Sequence, residues 1–216
     1  MPPIAPRAAD SNPLRMDCVS VNVKALLNRT ATLAAAALLF SWAAVACEDD
    51  PFGLNSWVAN PDTVQLFSLA RPELNLNSAY DFVSRLPVRI ERAGTTGSWD
   101  LVVDTEGGEL VLLPASALGI DSEARVAELP GIQFDEATEA PADSAAYSPA
   151  GVALRTTSVY VFRTRLAPDP VFGRSCTFYG KLQPLSVDVD EGMLEFMFDV
   201  NTSLSGCNNR DLVPPN

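Results

Sequence analysis

From Thr63 onward, apolar and polar positions alternate along the chain, as they do in strands whose successive side chains face opposite sides of a sheet. The run TVQLFSL (63–69) sets Val64 and Leu66 against Gln65 and Phe67. AYDFV (79–83) and PVRIE (87–91) are shorter candidates, the second with Arg89 and Glu91 opposite Val88 and Ile90. SWDLVVD (98–104) puts Trp99, Leu101 and Val103 on one face and Asp100, Val102 and Asp104 on the other. ELVLLP (109–114) returns after the turn TEGG, so 98–114 reads as a hairpin. Residues 115–129, opening with ASALGI, show no clear period and fit a short helix or a turn.

Alternation resumes in VALRTTSVYVFRTRL (152–166), where Tyr160, Phe162, Thr164 and Leu166 share one face and Val161, Arg163 and Arg165 the other. APDPVFGRS (167–175) is a loop marked by Pro and Gly. CTFYGKLQPLSVDVD (176–190) and MLEFMFDV (193–200) flank Glu191-Gly192 and form the clearest hairpin. In its second arm Leu194, Phe196, Phe198 and Val200 alternate with Glu195, Met197 and Asp199, which predicts one buried and one wetter sheet face. FDEATEAPADSAAYSPAG (134–151), rich in Ala, Pro and acids, reads as a long surface loop that divides residues 63–216 or links two parts of them. No repeat or heptad is present. The expectation is an all-β fold, an antiparallel β-sandwich or barrel-like domain of about eight to ten short strands, following an N-terminal signal helix.

Composition changes this picture in two ways. The 216-residue chain is 47% hydrophobic, enough for a proper core, and it contains no histidine. Without histidine, a Ser–His–Asp or Cys–His nucleophile system cannot be assembled, and a zinc site would need carboxylates or cysteines. The net charge is −12, and residues 1–46 hold four bases (Arg7, Arg15, Lys24, Arg29) and two acids (Asp10, Asp17), leaving 11 bases and 25 acids after them. So acidic a surface repels phosphate backbones and anionic headgroups, which makes nucleic acid a poor partner.

The amino-terminal region has its own organisation. Lys24 and Arg29 precede the apolar run ATLAAAALLFSWAAVA (31–46), which stops at Cys47 and gives way to Glu48, Asp49, Asp50 and Pro51. Crossing a bilayer takes ~20 apolar residues, so this run fits the apolar region of a signal peptide. Ala44-Val45-Ala46-Cys47 resembles the lipobox of bacterial lipoprotein precursors, with Ala44 where that family prefers Leu. The resemblance covers residues 22–47 alone. It implies that Cys47 is acylated, that the chain is cut just before it, and that the mature protein is lipid-anchored to the cell membrane or outer membrane, facing periplasm or exterior. Cleavage after Ala46 with Cys47 left as a thiol, and an uncleaved anchor helix, are the alternatives. Residues 1–15 make the leader unusually long, so Met16 is a candidate true start. Residues 47–62 (CEDDPFGLNSWVANPD) read as an acidic tether, with Trp57 as the point where it docks.

The four cysteines sort accordingly. Cys18 falls within the signal segment and Cys47 takes lipid, so Cys176 and Cys207 remain, in an oxidising compartment. A disulfide between them closes a loop worth roughly 3–4 kcal/mol on the chain-entropy model; two separate buried thiols are the alternative.

Several residues invite chemistry. Asp188-Val189-Asp190-Glu191-Gly192 suggests calcium, but its spacing fails the calcium-loop pattern and a solvated turn accounts for it better. Asp100, Asp104, Glu106 and Glu109 crowd the first hairpin, where paired carboxylates could hydrolyse glycans without histidine; strand acids facing water explain them equally. Arg155, Arg163, Arg165, Arg174 and Lys181 suggest an anion site or a polar sheet face paired with acids. Trp57, Trp99 and Tyr179 could stack on sugars, although Trp99 sits on an apolar face that suits the core. No catalytic, cofactor or metal motif is present in the sequence. The leading expectation is a non-enzymatic lipoprotein whose β domain binds a protein or glycan partner or supports the envelope. A carboxylate-dependent surface glycan hydrolase is the alternative; a solute-binding component is disfavoured by the lack of βαβ alternation.

Overall fold

The computed structural model describes residues 57–169 and 171–215. The signal segment, Met16, Cys18, Cys47 and the first part of the tether lie outside the described residues. In chain order the strands are β1 (Asp62–Phe67), β2 (Ala79–Asp81), β3 (Leu86–Val88), β4 (Leu101–Glu106), β5 (Glu109–Pro114) and β6 (Arg125–Pro130). They continue with β7 (Val152–Ala153), β8 (Ser158–Arg163), β9 (Ala167–Pro168), β10 (Ser175–Cys176), β11 (Tyr179–Asp188) and β12 (Met193–Val200). One sheet runs β1-β12-β11-β8-β6 and the other β3-β2-β4-β5-β7, with β9-β10 a separate two-stranded ribbon. All pairings are antiparallel. The fold is therefore an all-β sandwich of two open sheets, and its twelve strands exceed the expected eight to ten because β7, β9 and β10 are two residues each.

Aromatic side chains fill the space between the sheets. Tyr80 and Phe82 from one sheet meet Phe162, Phe196 and Phe198 from the other, with the Phe82 and Phe162 rings stacked at 3.8 Å between centroids. Alternation supplies these residues: Leu194, Phe196 and Phe198 all point inward from β12 and are fully buried. Gly180 on β11 lies opposite Phe162 in the ladder, and a Cβ there would run into the Phe162 ring and come within 2.7 Å of the Asp199 carbonyl.

Both outer faces are also partly covered, which period-two alternation could not reveal. Residues 134–151 do not divide the domain. They lie over the outer face of the first sheet, where Ala137, Ala140 and Tyr147 pack on Ala127, Val159 and Val161. The C-terminal segment fixes this cover, with Arg210 and Thr138 carbonyls accepting from Ala140 and Leu212. On the other sheet Trp99 packs with Ala79, Val102 and Leu113, not with Leu101 and Val103, because the strand begins only at Leu101.

Other boundaries shift for similar reasons. The 152–166 run is broken at Arg155–Thr157, so its two halves, β7 and β8, join different sheets. Residues 125–130, without a clear period in sequence, form β6, whose Val126 and Ala127 are buried on opposite faces. β8 ends at Arg163, which leaves Leu166 57% exposed rather than on the inward face. The tether ends earlier than residue 62: Trp57 is only 9% exposed, and Asn60 is bonded through its amide to Asp199 and through its carbonyl to Arg85.

Gly180→Ala should lower stability by about 1–3 kcal/mol through overpacking against Phe162. Urea denaturation of parent and variant measures this, and an unchanged midpoint would mean that the inter-sheet space is looser than described.

Candidate functional site

Several of the acids and bases of this chain hold backbone groups in place. Asp100 precedes β4 and is fully buried. Its Oδ2 accepts the Phe82 amide at 2.8 Å, and its Oδ1 accepts the Arg165 amide at 2.8 Å and guanidinium at 3.1 Å. The same guanidinium forms a bidentate pair with Asp81, 2.9 Å on each arm. Asp81 ends β2 and Arg165 follows β8, so this cluster joins the two sheets. Burial pushes the Asp100 carboxyl up to about 6 against the opposing pull of Arg165. Burial also works against charge on Asp81, but the Arg165 bonds and charge outweigh it and hold that carboxyl below its usual range.

The other acids of the first hairpin do not join Asp100. Asp104 accepts the Ser68 hydroxyl and the Ala70 amide, and Glu106 and Glu109 are exposed beside the β4–β5 turn. A paired acid and base for glycan chemistry needs two carboxyls reachable from one sugar. The buried Asp100 is engaged by the Arg165 guanidinium and two amides, which overturns the reading of it as a strand acid facing water.

The basic cluster is likewise dispersed. Arg155 pairs with Glu128 at 3.6 Å, Arg163 with Glu123 at 3.0 Å and Arg174 with Asp169 at 3.0 Å. Arg163 and Arg165 do not share a face, since the strand has ended between them. Lys181 is 3% exposed and donates to the Phe134 and Ala137 carbonyls at 2.8 and 2.9 Å, its ammonium 4.5 Å from the Phe134 ring. Burial lowers its pKa, while Asp135 and Asp199 oppose that shift. Lys181 thus ties the covering segment to the first sheet.

The Asp188–Gly192 turn is closed by Asp188, whose carboxylate accepts the Glu191 amide at 2.8 Å, with Gly192 at φ +56°. Arg71 reaches Glu73 and the Glu191 carbonyl beside an open depression of about 340 Å³. Among the described residues, no three His, Cys, Asp or Glu side chains converge as metal ligands. Trp57 and Trp99 are buried, and Tyr179 is half-buried at 6.4 Å from the Tyr147 ring, so these three do not form an exposed sugar platform. Cys176 and Cys207 form a disulfide with Cα atoms 5.1 Å apart.

Sequence reasoning missed the roles of Asp81, Asp169 and Asp199. Asp81 and Asp199 carried a faint signal as acids inside short apolar runs, where a buried charge requires a partner. Asp169 precedes Pro170 in a turn-rich stretch, and its carboxylate accepts the amides of Val171, Phe172 and Arg174. The Phe172 amide does most to draw the Asp169 carboxyl down to about 2, with Arg174 assisting against burial.

Arg165→Met should cost about 3–5 kcal/mol, because it leaves two buried carboxyls without their cation; chemical denaturation reads this directly. The pH dependence of Asp100 has a defined sign. Its folded value, about 6, lies above the unfolded one near 3.8, so the folded state binds the extra proton and loses stability as pH rises between them. The penalty of Asp100→Asn should therefore shrink as pH is raised across that window; a constant penalty would show that folding leaves the Asp100 pKa unchanged.

No protein-family model matches the chain, and no curated protein matches it.

Proposed function

We propose that the chain is a bacterial lipoprotein, acylated at Cys47, whose extracytoplasmic β domain binds a protein or glycan or supports the cell envelope without catalysis. The observation that carries the non-catalytic part is the employment of its acids. Asp81, Asp100, Asp104, Asp169 and Asp199 all accept backbone amides. A carboxylate so engaged stabilises loops and is poorly placed to exchange protons with a substrate. The Cys176–Cys207 disulfide supports an oxidising compartment, since such bonds persist outside the reducing cytosol.

The anchor rests on the sequence Ala44-Val45-Ala46-Cys47 and on the acidic stretch that follows. Two or three acyl chains give durable attachment where one gives only marginal binding. Attachment by charge is disfavoured by the surplus of 25 acids over 11 bases from Cys47 onward.

Intact mass of the protein purified from a bacterial membrane fraction tests the anchor. A chain that begins at Cys47, heavier by its acyl groups and gaining two hydrogens on reduction, is expected. An unmodified chain would remove the lipoprotein reading. Turnover of a glycan panel that disappears in Glu106→Gln or Glu109→Gln would replace binding with hydrolysis.

A further inference from the structure

The two ends of the sandwich differ in chemistry. The chain enters the domain at the end where Asp62 of β1 pairs with Phe198, close to the last residue of β12. Strand registers place the start of β11 and the end of β8 at the same end, since Gly180 faces Val200 and Tyr179 faces Arg163. The connection from β8 to β11, including the β9–β10 ribbon, therefore projects from the entry end. The β2–β3 turn is there too, because Arg85 reaches the Asn60 carbonyl.

Nine large apolar side chains are exposed among the described residues, and six of them belong to this end: Val58, Leu86, Leu118, Leu166, Val171 and Phe172. Phe172 is 68% exposed at the tip of the ribbon. The tip is held in shape from below. Asp169 accepts three of its amides, Gly173 takes a φ of +66°, and the Arg174 guanidinium lies 5.5 Å from the Phe172 ring centroid. At its base Cys176 is tied to Cys207. A loop already ordered loses little entropy when its apolar tip is covered.

The buried acids of the entry end are matched by arginines: Asp81 and Asp100 by Arg165, Asp169 by Arg174 and Asp199 by Arg85. The far end carries the β4–β5 and β11–β12 turns. Glu106, Glu109, Asp190 and Glu191 are exposed there, and Arg71 is the cation beside the second turn. Asp62, Asp121 and Glu123 are exposed at the entry end as well, so it is the cluster of exposed apolar side chains, not charge, that suits this end to a bilayer surface. Nine residues lie between Cys47 and Trp57, a reach of at most about 35 Å, so acylation at Cys47 would keep the domain within that distance of the membrane.

We propose that the entry end of the sandwich rests on the lipid bilayer, with Val171 and Phe172 inserted at its surface and the acidic turns pointing away. This rests on the reading that Cys47 is acylated. A docked orientation leaves the far end and the sheet edges for a partner in the envelope.

Tryptophan quenching by brominated lipids tests the orientation. The full chain is purified from membranes as the parent, Phe172→Trp and Val189→Trp, and each is reconstituted into vesicles of brominated phosphatidylethanolamine and phosphatidylglycerol. The parent supplies the background from the buried Trp57 and Trp99. Phe172→Trp should lose its added emission and shift to the blue, while Val189→Trp, in the far turn, keeps its own. Quenching at residue 172 no stronger than at residue 189 would overturn the proposal. Both replaced side chains are exposed, and matching thermal unfolding checks that each variant folds. Intact mass of the same samples reads the anchor separately. An acylated chain without quenching at residue 172 removes the docked end alone, whereas a quenched, unacylated chain removes the anchor alone.

Discussion

Arg165 joins the two sheets by something other than apolar contact, and much of the entry end is arranged around it. Its guanidinium engages Asp81 at the end of β2 and Asp100 before β4, while its own amide is bonded to Asp100. The hydrophobic effect itself has no direction, so the register of two sheets is set by side-chain packing and by directional contacts such as this one. A planar guanidinium facing two carboxylates fixes both distance and angle. Burying these charges costs several kcal/mol per ion in desolvation, so the cluster is better read as setting register than as a large source of stability.

The same logic extends through the loops. A small sandwich with short strands leaves many amides outside its ladders, and each buried one needs an acceptor. Here aspartate is the usual answer. Asp169 gathers the amides of the β9–β10 ribbon, Asp199 takes Asn60 and secures the chain entry, and Asp188 closes the β11–β12 turn. The excess of acid is therefore only partly a surface property. Some carboxylates are internal fasteners, and the exposed remainder is spread over both ends and the covering segment, from Asp62 and Glu123 to Glu136 and Asp190. The proposed orientation on a membrane rests instead on the exposed apolar side chains of the entry end, Phe172 foremost.

Much of the fold was legible from the sequence. β5 and β12 have the bounds that alternation predicted, and both hairpins are present. The disulfide followed from cysteine arithmetic and the compartment implied by the leader. Where prediction failed, the cause was tertiary. β6 has no visible period because residues 134–151 cover its outer face, so both of its faces are buried. Trp99 was placed on the wrong face because the backbone departs from strand geometry just before Leu101.

Local alternation, the absence of histidine and the placing of cysteines determined the fold class and excluded the common nucleophile systems, because each depends on residue type and near-neighbour spacing. Which acid meets which base was decided only by the tertiary structure. Asp100 and Arg165 lie 65 positions apart, and their meeting depends on strand order and register. The asymmetry between the two ends arose in the same way, since no stretch of sequence shows which turns project from the same side of a sandwich.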